Sequence, residues 1–451
     1  MVRMADKDVM KKVLLIGHEA RAHWLAEAIA RSEKLKSLVA YMKQGCNNPG
    51  IANLSSAVVF GDYSDAKSIV ALARKAKVDY AVISGEEILS HGIVDALEAA
   101  GIGCVGPRKL AAKIETSKAW TRELIRTHGI SGNPNYRIFW TMDVRGMSKF
   151  MDEVDEVVVK PDGLTGGGGV MVQGDHFESK GQVLEICRKI LRSHSVVVLE
   201  EKQFGQEFTM QFFCDGVCTV DMPIVQDNKR LEVGDKGPNT GSMGATSFAD
   251  HSLPFLNIRD LVEAKGIVNR TVLAIKEETG IPFKGVPYGG FMATDKGVKL
   301  IEFNARFGDP EAMVLELLQT DFLDICQAIT TGTLHNLAVR FADKAMVCKY
   351  LVPKAYKRDK FQDSIGAKIE VGKIGRAKIH FASVDDRGDG IYTTTSRSIA
   401  VTGIGETLAK AERIAERGIG GIRGPLFYRP DIGTAKLIKQ RVEHMKRLRG
   451  E

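Results

Sequence analysis

Residues 300–312, LIEFNARFGDPEA, place Glu302, Asn304, Arg306, Asp309 and Glu311 within ten positions of a segment that opens as an apolar strand. Side chains alternate between the two faces of a strand, so Ile301 and Phe303 are expected to enter a core while Glu302 and Asn304 share the opposite face. A carboxylate and an amide oxygen side by side form a hard, oxygen-rich half-site. That suits Mg²⁺, which takes one or two protein oxygens and completes its shell with water and substrate phosphates. The alternative is a polar strand edge facing solvent. Arg306 adds a guanidinium fork for carboxylate or phosphate, and Gly308, Asp309 and Pro310 make a turn. Together they favour a metal shelf.

Three further segments carry chemistry. In KPDGLTGGGGV (160–170) four successive glycines lie between two apolar runs. They are costly in backbone entropy unless their N–H groups approach an anion, and Lys160 would reach the same phosphates. The stretch is neither a Walker A loop nor GxGxxG, and GHEARAH after the first strand lacks the dinucleotide fingerprint, which removes the main support for a dehydrogenase. VVLEEKQFGQE (197–207) ends a strand in Glu200 and Glu201, whose backbone could meet an adenine edge, with Glu207 placed for ribose hydroxyls. QDNKRLEVGDKGPNTGSMGAT (226–246) is polar, glycine-rich and too long for a simple turn, which marks a functional loop. Its Lys229, Arg230, Asn239, Thr240 and Ser242 could hold an anionic substrate. A mobile surface loop is the plainer reading of that last segment.

These segments must be positioned by regular elements. KVLLIG (12–17), LVAYM (38–42), DYAVISG (79–85) and CVGP (104–107) are apolar strands or strand ends. They alternate with helices at 22–32, 64–77 and 91–101. That alternation predicts a doubly wound parallel sheet, whose ligands gather at the carboxyl ends of its strands. From Thr116 the pattern changes to helix, glycine-loop hairpin, a long β-run and a helix over about 258–279. Beyond about Thr331 the turns VGKIG, DDRGDG, TGIGET and GIGGIRG predict a smaller β-rich unit closed by two helices.

Composition excludes several classes. The chain has 451 residues, 44% apolar and 26% charged, the balance of an ordinary globular protein of about two to four domains. Its net charge of +7 is spread out and suits small anionic substrates. The basic tail KLIKQRVEHMKRLRGE has Ile438, Val442, Met445 and Leu448 at helical spacing, so a docked helix is expected and no nucleic-acid partner. Seven cysteines form no CxxC and no zinc spacing, consistent with free thiols in a reducing compartment. MVRMADKDVMKK has no apolar h-region and no run approaches a membrane span, so a cytoplasmic protein without a membrane partner is expected.

In this order the four segments resemble the ATP-grasp ligases, and among them the phosphoribosylamine–glycine ligase (glycinamide ribonucleotide synthetase) family. SKAW (117–120), VVVKPDGLTGGGG, LEEKQFGQE, QDNKR with GDKGPNTGSMG, and IEFNARFGDPE carry the match, with GIVDALEAAGIGCVGP and FYRPDIG (427–433) extending it over nearly the whole chain. The resemblance implies an α/β and α+β multidomain fold. It would have a Rossmann-like first domain (11–115), an ATP-grasp domain (116–330) with a lid at about 131–200, and a C-terminal domain (331–451). It implies ATP with Mg²⁺ or Mn²⁺ as cofactors, glycine and 5-phosphoribosylamine as substrates, and a monomer. Carried over by position, Lys118, Lys160, Gly166, Gly167, Gly168, Gly169, Glu200, Glu201 and Glu207 bind ATP, and Glu302 and Asn304 hold metal. Asp227, Lys229, Arg230, Asn239, Thr240, Gly241, Arg306 and Asp309 serve the glycine and amine, with Arg306, Asp309 and Lys160 catalytic. The loops near Gly17 and Asn48-Pro49-Gly50 are the expected phosphoribosyl site.

The chemistry implied is phosphorylation of a carboxylate, followed by attack of an amine on the acyl phosphate. Positioning and charge neutralisation suffice for it, without a nucleophilic Ser or Cys. A glycine-rich lid would keep water from the acyl phosphate. The sequence departs from the family's pattern at Gly168 (usually lysine), Asn228 (usually histidine), Ser242 (usually glycine), GHEARAH and SGEE. Two alternatives are a ligase for another amino acid or amine, and a nucleotide-binding homologue without turnover.

Overall fold

The computed structural model describes residues 10–165 and 169–451. Its first sheet has five parallel strands: β1 (Lys11–Ile16), β2 (Leu35–Lys43), β3 (Ala57–Gly61), β4 (Tyr80–Ile83) and β5 (Gly103–Val105), in the order β3-β2-β1-β4-β5. β1 lies at the centre, and alternate residues serve different cores. Leu14 and Ile16 join one cluster, Val13 and Leu15 the other. The strand is therefore apolar on both faces, as central parallel strands are. Strand order reverses between β1 and β4, and the chain leaves those two strands through Gly17–Glu19 and Ser84–Glu86. This is the switch point where open α/β sheets bind ligands.

The alternation of apolar runs did not reveal β3. It is an edge strand whose side chains are exposed or half-buried, so its pattern is weak. The helices at Ala20–Ala30, Ala66–Ala76 and Ile93–Ala99 are each shorter than or shifted from the expected spans. Lys77, in the left-handed region, stops the second of them.

Two antiparallel sheets form a clasp. One has the order Tyr136–Phe139, Val197–Glu201, Val157–Pro161, Met171–Val172. Helices Val144–Glu153 and Lys180–Ser193 cover it and give it a separate small core. The other runs Thr219–Asp221, Gln206–Asp215, Tyr288–Thr294, Gly297–Asn304, backed by the helices Ile258–Thr279 and Lys118–Thr127. The glycine run at 166–168 lies outside the described residues.

The third unit is built on strand Ala345–Pro353, flanked by Ile399–Gly405 and, on its other side, by Gly244–Ser247 and then Gln226–Asp227. Residues 226–246 are thus two nested hairpins, since Arg230–Glu232 also pairs with Lys236–Asn239. The segment expected to be an irregular loop is held in register by a strand about a hundred residues downstream. Helix Leu408–Ile419 packs on this sheet, whereas helix Ala435–Arg449, expected to close the same unit, lies against strand Tyr288–Thr294 of the clasp, with Met445 in that sheet's core. Among the described residues no helix is long and apolar enough to cross a membrane.

Candidate active site

The two sheets of the clasp, the end of the first sheet and the hairpins at 226–246 enclose one cleft of about 700 Å³. Lys118, Lys160, Glu200, Glu201, Glu207, Asp227, Lys229, Arg230, Asn239, Thr240, Gly241, Glu302, Asn304, Arg306 and Asp309 all line it. Of the other ATP-binding expectations, Gly166, Gly167 and Gly168 lie outside the described residues. Gly169 packs near Pro161 and Thr165 without lining the cleft.

Strand Gly297–Asn304, which carries Glu302 and Asn304, is irregular at the decisive place. Gly290 pairs with Glu302 and Phe291 with Leu300, so Ile301 is an extra, unpaired residue. This β-bulge resets the alternation. Leu300 and Phe303, three apart, are both buried in the same core, which strict alternation forbids. Glu302 and Asn304 remain in the cleft wall, but Ile301 does not enter the core as expected. It is half-buried, and its carbonyl accepts from Lys160 Nζ at 3.0 Å and Arg122 Nη2 at 2.8 Å.

Glu302 faces Lys229 at 3.9 Å, and among the described residues neither its carboxylate nor the Asn304 amide takes part in a hydrogen bond. Burial opposes ionisation of Glu302, but Lys229, Lys160, Lys118 and Arg306 outweigh it and hold its pKa below the ordinary value. The pair is an unspent oxygen half-site that stays charged near neutrality. It fits a hard divalent cation.

Around it stand the lysines. Lys160 is buried, 2.7 Å from Glu200, so two of its three donors are taken and one is left. Lys118 donates to the Gly163 carbonyl at 2.7 Å. It opens a helix whose Ser117 cap accepts from the Trp120 amide. Lys229 lies 2.9 Å from Glu207; burial disfavours its charge, but Glu207, Glu302 and Asp227 raise its pKa. The Glu200 side chain is committed to the fold: Arg122 binds both its oxygens at 2.8 Å while Lys160 takes one as well. Against burial, these cations depress its pKa to about 2. Arg122 has a sequence signal that was missed, since it lies one helical turn after Lys118 and shares its face.

The substrate-side residues divide. Arg306 spends three donors on Glu86 (2.9 Å), Glu115 (2.7 Å) and the Phe307 carbonyl (3.3 Å), linking the first sheet's switch point to the cleft floor. Burial and Glu86 push the Glu115 carboxyl up to about 7, against the pull of Arg306. Asp309 accepts from Tyr350 and lies 3.2 Å from Arg397, both through Oδ1, while its Oδ2 is buried without a partner. Burial raises the Asp227 carboxyl to about 7, helped by the charge of Glu311 and opposed by Lys229 and a hydrogen bond from Ser242. Glu311, half-satisfied by the Tyr288 hydroxyl at 3.0 Å, is also raised. Arg230 is committed to Asp175 and the Gly237 carbonyl. Asn48 and Gly50 are not in the cleft. The Asn48 side chain caps its own helix and donates to the His18 and Phe381 carbonyls, and a Cβ at Gly50 would strike His23.

A nucleotide-sized cleft between two antiparallel sheets, with paired lysines on one side and an oxygen half-site on the other, defines an ATP-grasp enzyme. Family models agree: the N domain of phosphoribosylglycinamide synthetase matches residues 11–115, its ATP-grasp (A) domain 116–312 and its C domain 346–435. The chain belongs to the phosphoribosylglycinamide synthetase family. It is 46% identical over 440 residues to the phosphoribosylamine–glycine ligase of Methanosarcina barkeri, covering 97% of this chain and 100% of that protein. It is 42% identical over 447 residues to that of Methanocaldococcus jannaschii, covering 97% and 100%. Among solved structures, the Thermotoga maritima phosphoribosylamine–glycine ligase superposes with a TM-score of 0.76 at 24% identity, covering 93% of this chain and 99% of that one. The biotin carboxylase domain of Hydrogenobacter thermophilus 2-oxoglutarate carboxylase, bound to MgADP, gives 0.70 at 16%, covering 97% and 94%. These last two likenesses speak to the fold.

Proposed function

We propose that the chain joins glycine to 5-phosphoribosylamine at the expense of ATP, giving glycinamide ribonucleotide, ADP and phosphate, in the cytoplasm. The observation that carries this reading is the bulged strand, which presents Glu302 and Asn304 together, their side chains free of hydrogen bonds among the described residues, beside Lys118, Lys160 and Lys229. Glu302 and Asn304 would hold Mg²⁺ or Mn²⁺, which neutralises charge on the β- and γ-phosphates. The remaining donors of Lys118 and Lys160 bind those phosphates, while the strand-end backbone beside Glu201 takes the adenine and Glu207 the ribose.

A glycine carboxylate oxygen attacks the γ-phosphorus and ADP leaves. The phosphoribosylamine nitrogen then attacks the glycyl carbonyl, phosphate departs, and the nitrogen loses a proton. Asp227 and Glu311 repel each other when both are ionised, so an ammonium is what that corner lacks, and glycine's amine is seated there. Oδ2 of Asp309, buried and without a partner, is the acceptor for the attacking amine's N–H. The two spare donors of Arg306 stabilise the acyl phosphate.

The test is ADP release with phosphoribosylamine generated in place from ribose 5-phosphate and ammonia. Release is expected to require both glycine and the amine, and Glu302→Gln is expected to lower it by about a hundredfold or more. Equal release with another amino acid or amine would move the assignment to a different ligase. ATP binding without turnover would leave a silent homologue.

A further inference from the structure

Away from the cleft, three side chains from three parts of the chain converge where the first unit meets the rest. Glu27 comes from helix Ala20–Ala30, Glu316 from the short 3₁₀ helix Glu311–Leu317, and His380 from strand Lys378–Phe381. Nε2 of His380 lies 3.3 Å from Oε2 of Glu27 and 3.4 Å from Oε1 of Glu316. Among the described residues this is the one cluster of three His, Cys, Asp or Glu whose ligand atoms all fall within 4.8 Å of one another. His380 is fully buried with no hydrogen-bond partner on either ring nitrogen, and Oε1 of Glu316 is buried without one as well. Buried polar atoms of native proteins are nearly always paired. Here two such atoms stand 3.4 Å apart without the geometry of a hydrogen bond.

We infer that a divalent transition-metal ion of the zinc type binds between Glu27, Glu316 and His380. Bonds of about 2.0–2.2 Å to a tetrahedral ion put neighbouring ligand atoms about 3.3–3.5 Å apart, which matches both distances to Nε2. The Glu27 side chain is 25% exposed, so the fourth position opens to water on that side. The surrounding groups orient the ligands. Arg31 at 2.9 Å and Lys378 both hold Oε2 of Glu316, leaving its Oε1 for the ion. His23 accepts the Phe381 amide on Nδ1, so its neutral ring carries its proton on Nε2, which faces Oε1 of Glu27 at 3.7 Å.

Arg31 and Lys378, whose Nζ is also 3.9 Å from Oε2 of Glu27, already offset the two carboxylates. Affinity therefore rests on the imidazole nitrogen, which selects zinc or cobalt over magnesium or calcium. The cleft half-site has oxygen donors alone, so the two sites separate by metal. An ion at the junction ties together the helix that starts beside Arg21, the 3₁₀ helix that starts at Glu311, and the third unit's sheet. The first two of these begin in the wall of the cleft.

The test uses the full chain stripped with a chelator and titrated with Co²⁺ in excess Mg²⁺, which occupies the cleft. One cobalt per chain is expected, with the strong visible absorption of four-coordinate cobalt, chased by Zn²⁺. Glu27→Gln should weaken it by about ten- to a hundredfold, His380→Asn should abolish it, and Glu302→Gln should leave it intact. Circular dichroism checks that each variant is folded. If the His380 variant is not folded, the partly exposed Glu27 position decides. A spectrum that is absent or six-coordinate, that forms with undiminished cobalt affinity in Glu27→Gln, or that vanishes in Glu302→Gln overturns the site. Absence in the parent chain would leave the His380 ring packed between the two carboxylates without an ion.

Discussion

Asp227 shows at the scale of one residue how the cleft stores an unmet demand. Its carboxyl stands at about 7 against an ordinary 3.8, because burial and Glu311 disfavour its charge more than Lys229 and Ser242 favour it. To accept glycine's ammonium it must be ionised, and below about pH 7 it is increasingly protonated. The KM for glycine is therefore expected to rise by about tenfold per pH unit below 7, the slope of one titrating group, while the KM for ATP changes little. Asp227→Asn should flatten that dependence at a high KM; a glycine KM that stays pH-dependent in the variant would place the ammonium elsewhere. Lys229 and Glu302 are legible in the sequence because polar side chains at strand ends and in glycine-rich stretches have a local signature, whereas Asp227 and the role of Asp309 follow only from the family resemblance. The sequence could not show Arg397, which meets Asp309 across 88 positions, nor that Glu200 is consumed by Arg122. Long-range pairs leave no mark on their own neighbourhoods.

At the scale of the element, the bulge at Ile301 does more than the alternation of LIEFN suggested. It lets Leu300 and Phe303 both reach the core, turns the Ile301 carbonyl toward two cations, and still leaves Glu302 and Asn304 facing the cleft. Period two reveals which residues share a face but not where a strand slips by one, because the slip depends on the partner strand. That partner contributes Gly290 opposite Glu302, where a Cβ would stand 3.4 Å from Glu302 Cγ. Gly290→Ala is expected to keep or slightly raise the melting temperature, since alanine is favoured over glycine within a strand by about 0.5–1 kcal/mol. Because 3.4 Å is ordinary van der Waals contact, the Glu302 carboxylate should keep its place and kcat should change by no more than about twofold. A large loss of kcat in a folded variant would mean that even one added methyl on this strand moves the carboxylate.

At the scale of the whole molecule, apolar runs made β1, β2, β4 and β5 of the first sheet legible, because those parallel strands are largely buried, while the exposed edge strand β3 was not. The third unit's sheet was less legible: it borrows Gly244–Ser247 and Gln226–Asp227 from a hairpin that sits in the cleft wall. The site thus depends on the C-terminal unit, and the terminal helix Ala435–Arg449 ties the two together. Leu437, Arg441 and Met445 are buried on one side of it, with Val442 and Leu448 packed against the core behind the Gly297–Asn304 strand. Arg441 donates to Asn228 at 2.6 Å, and Arg449 grips both oxygens of the buried Asp260 at 2.8 and 2.9 Å. The basic residues of this tail include two that work as internal clamps. Ending the chain at Thr434 would expose the surface that Leu437 and Met445 cover, about 3–6 kcal/mol for two such side chains. It would also leave Asp260 buried without its guanidinium. Against a typical total of about 5–15 kcal/mol, that loss is large. The truncated chain is expected to unfold at a clearly lower urea concentration and to lose ligase activity, because Asn228 and its hairpin lose their anchor. An unchanged urea midpoint with full activity would mean that the helix is an appendage, and that the hairpin at 226–246 is held by strand Ala345–Pro353 alone.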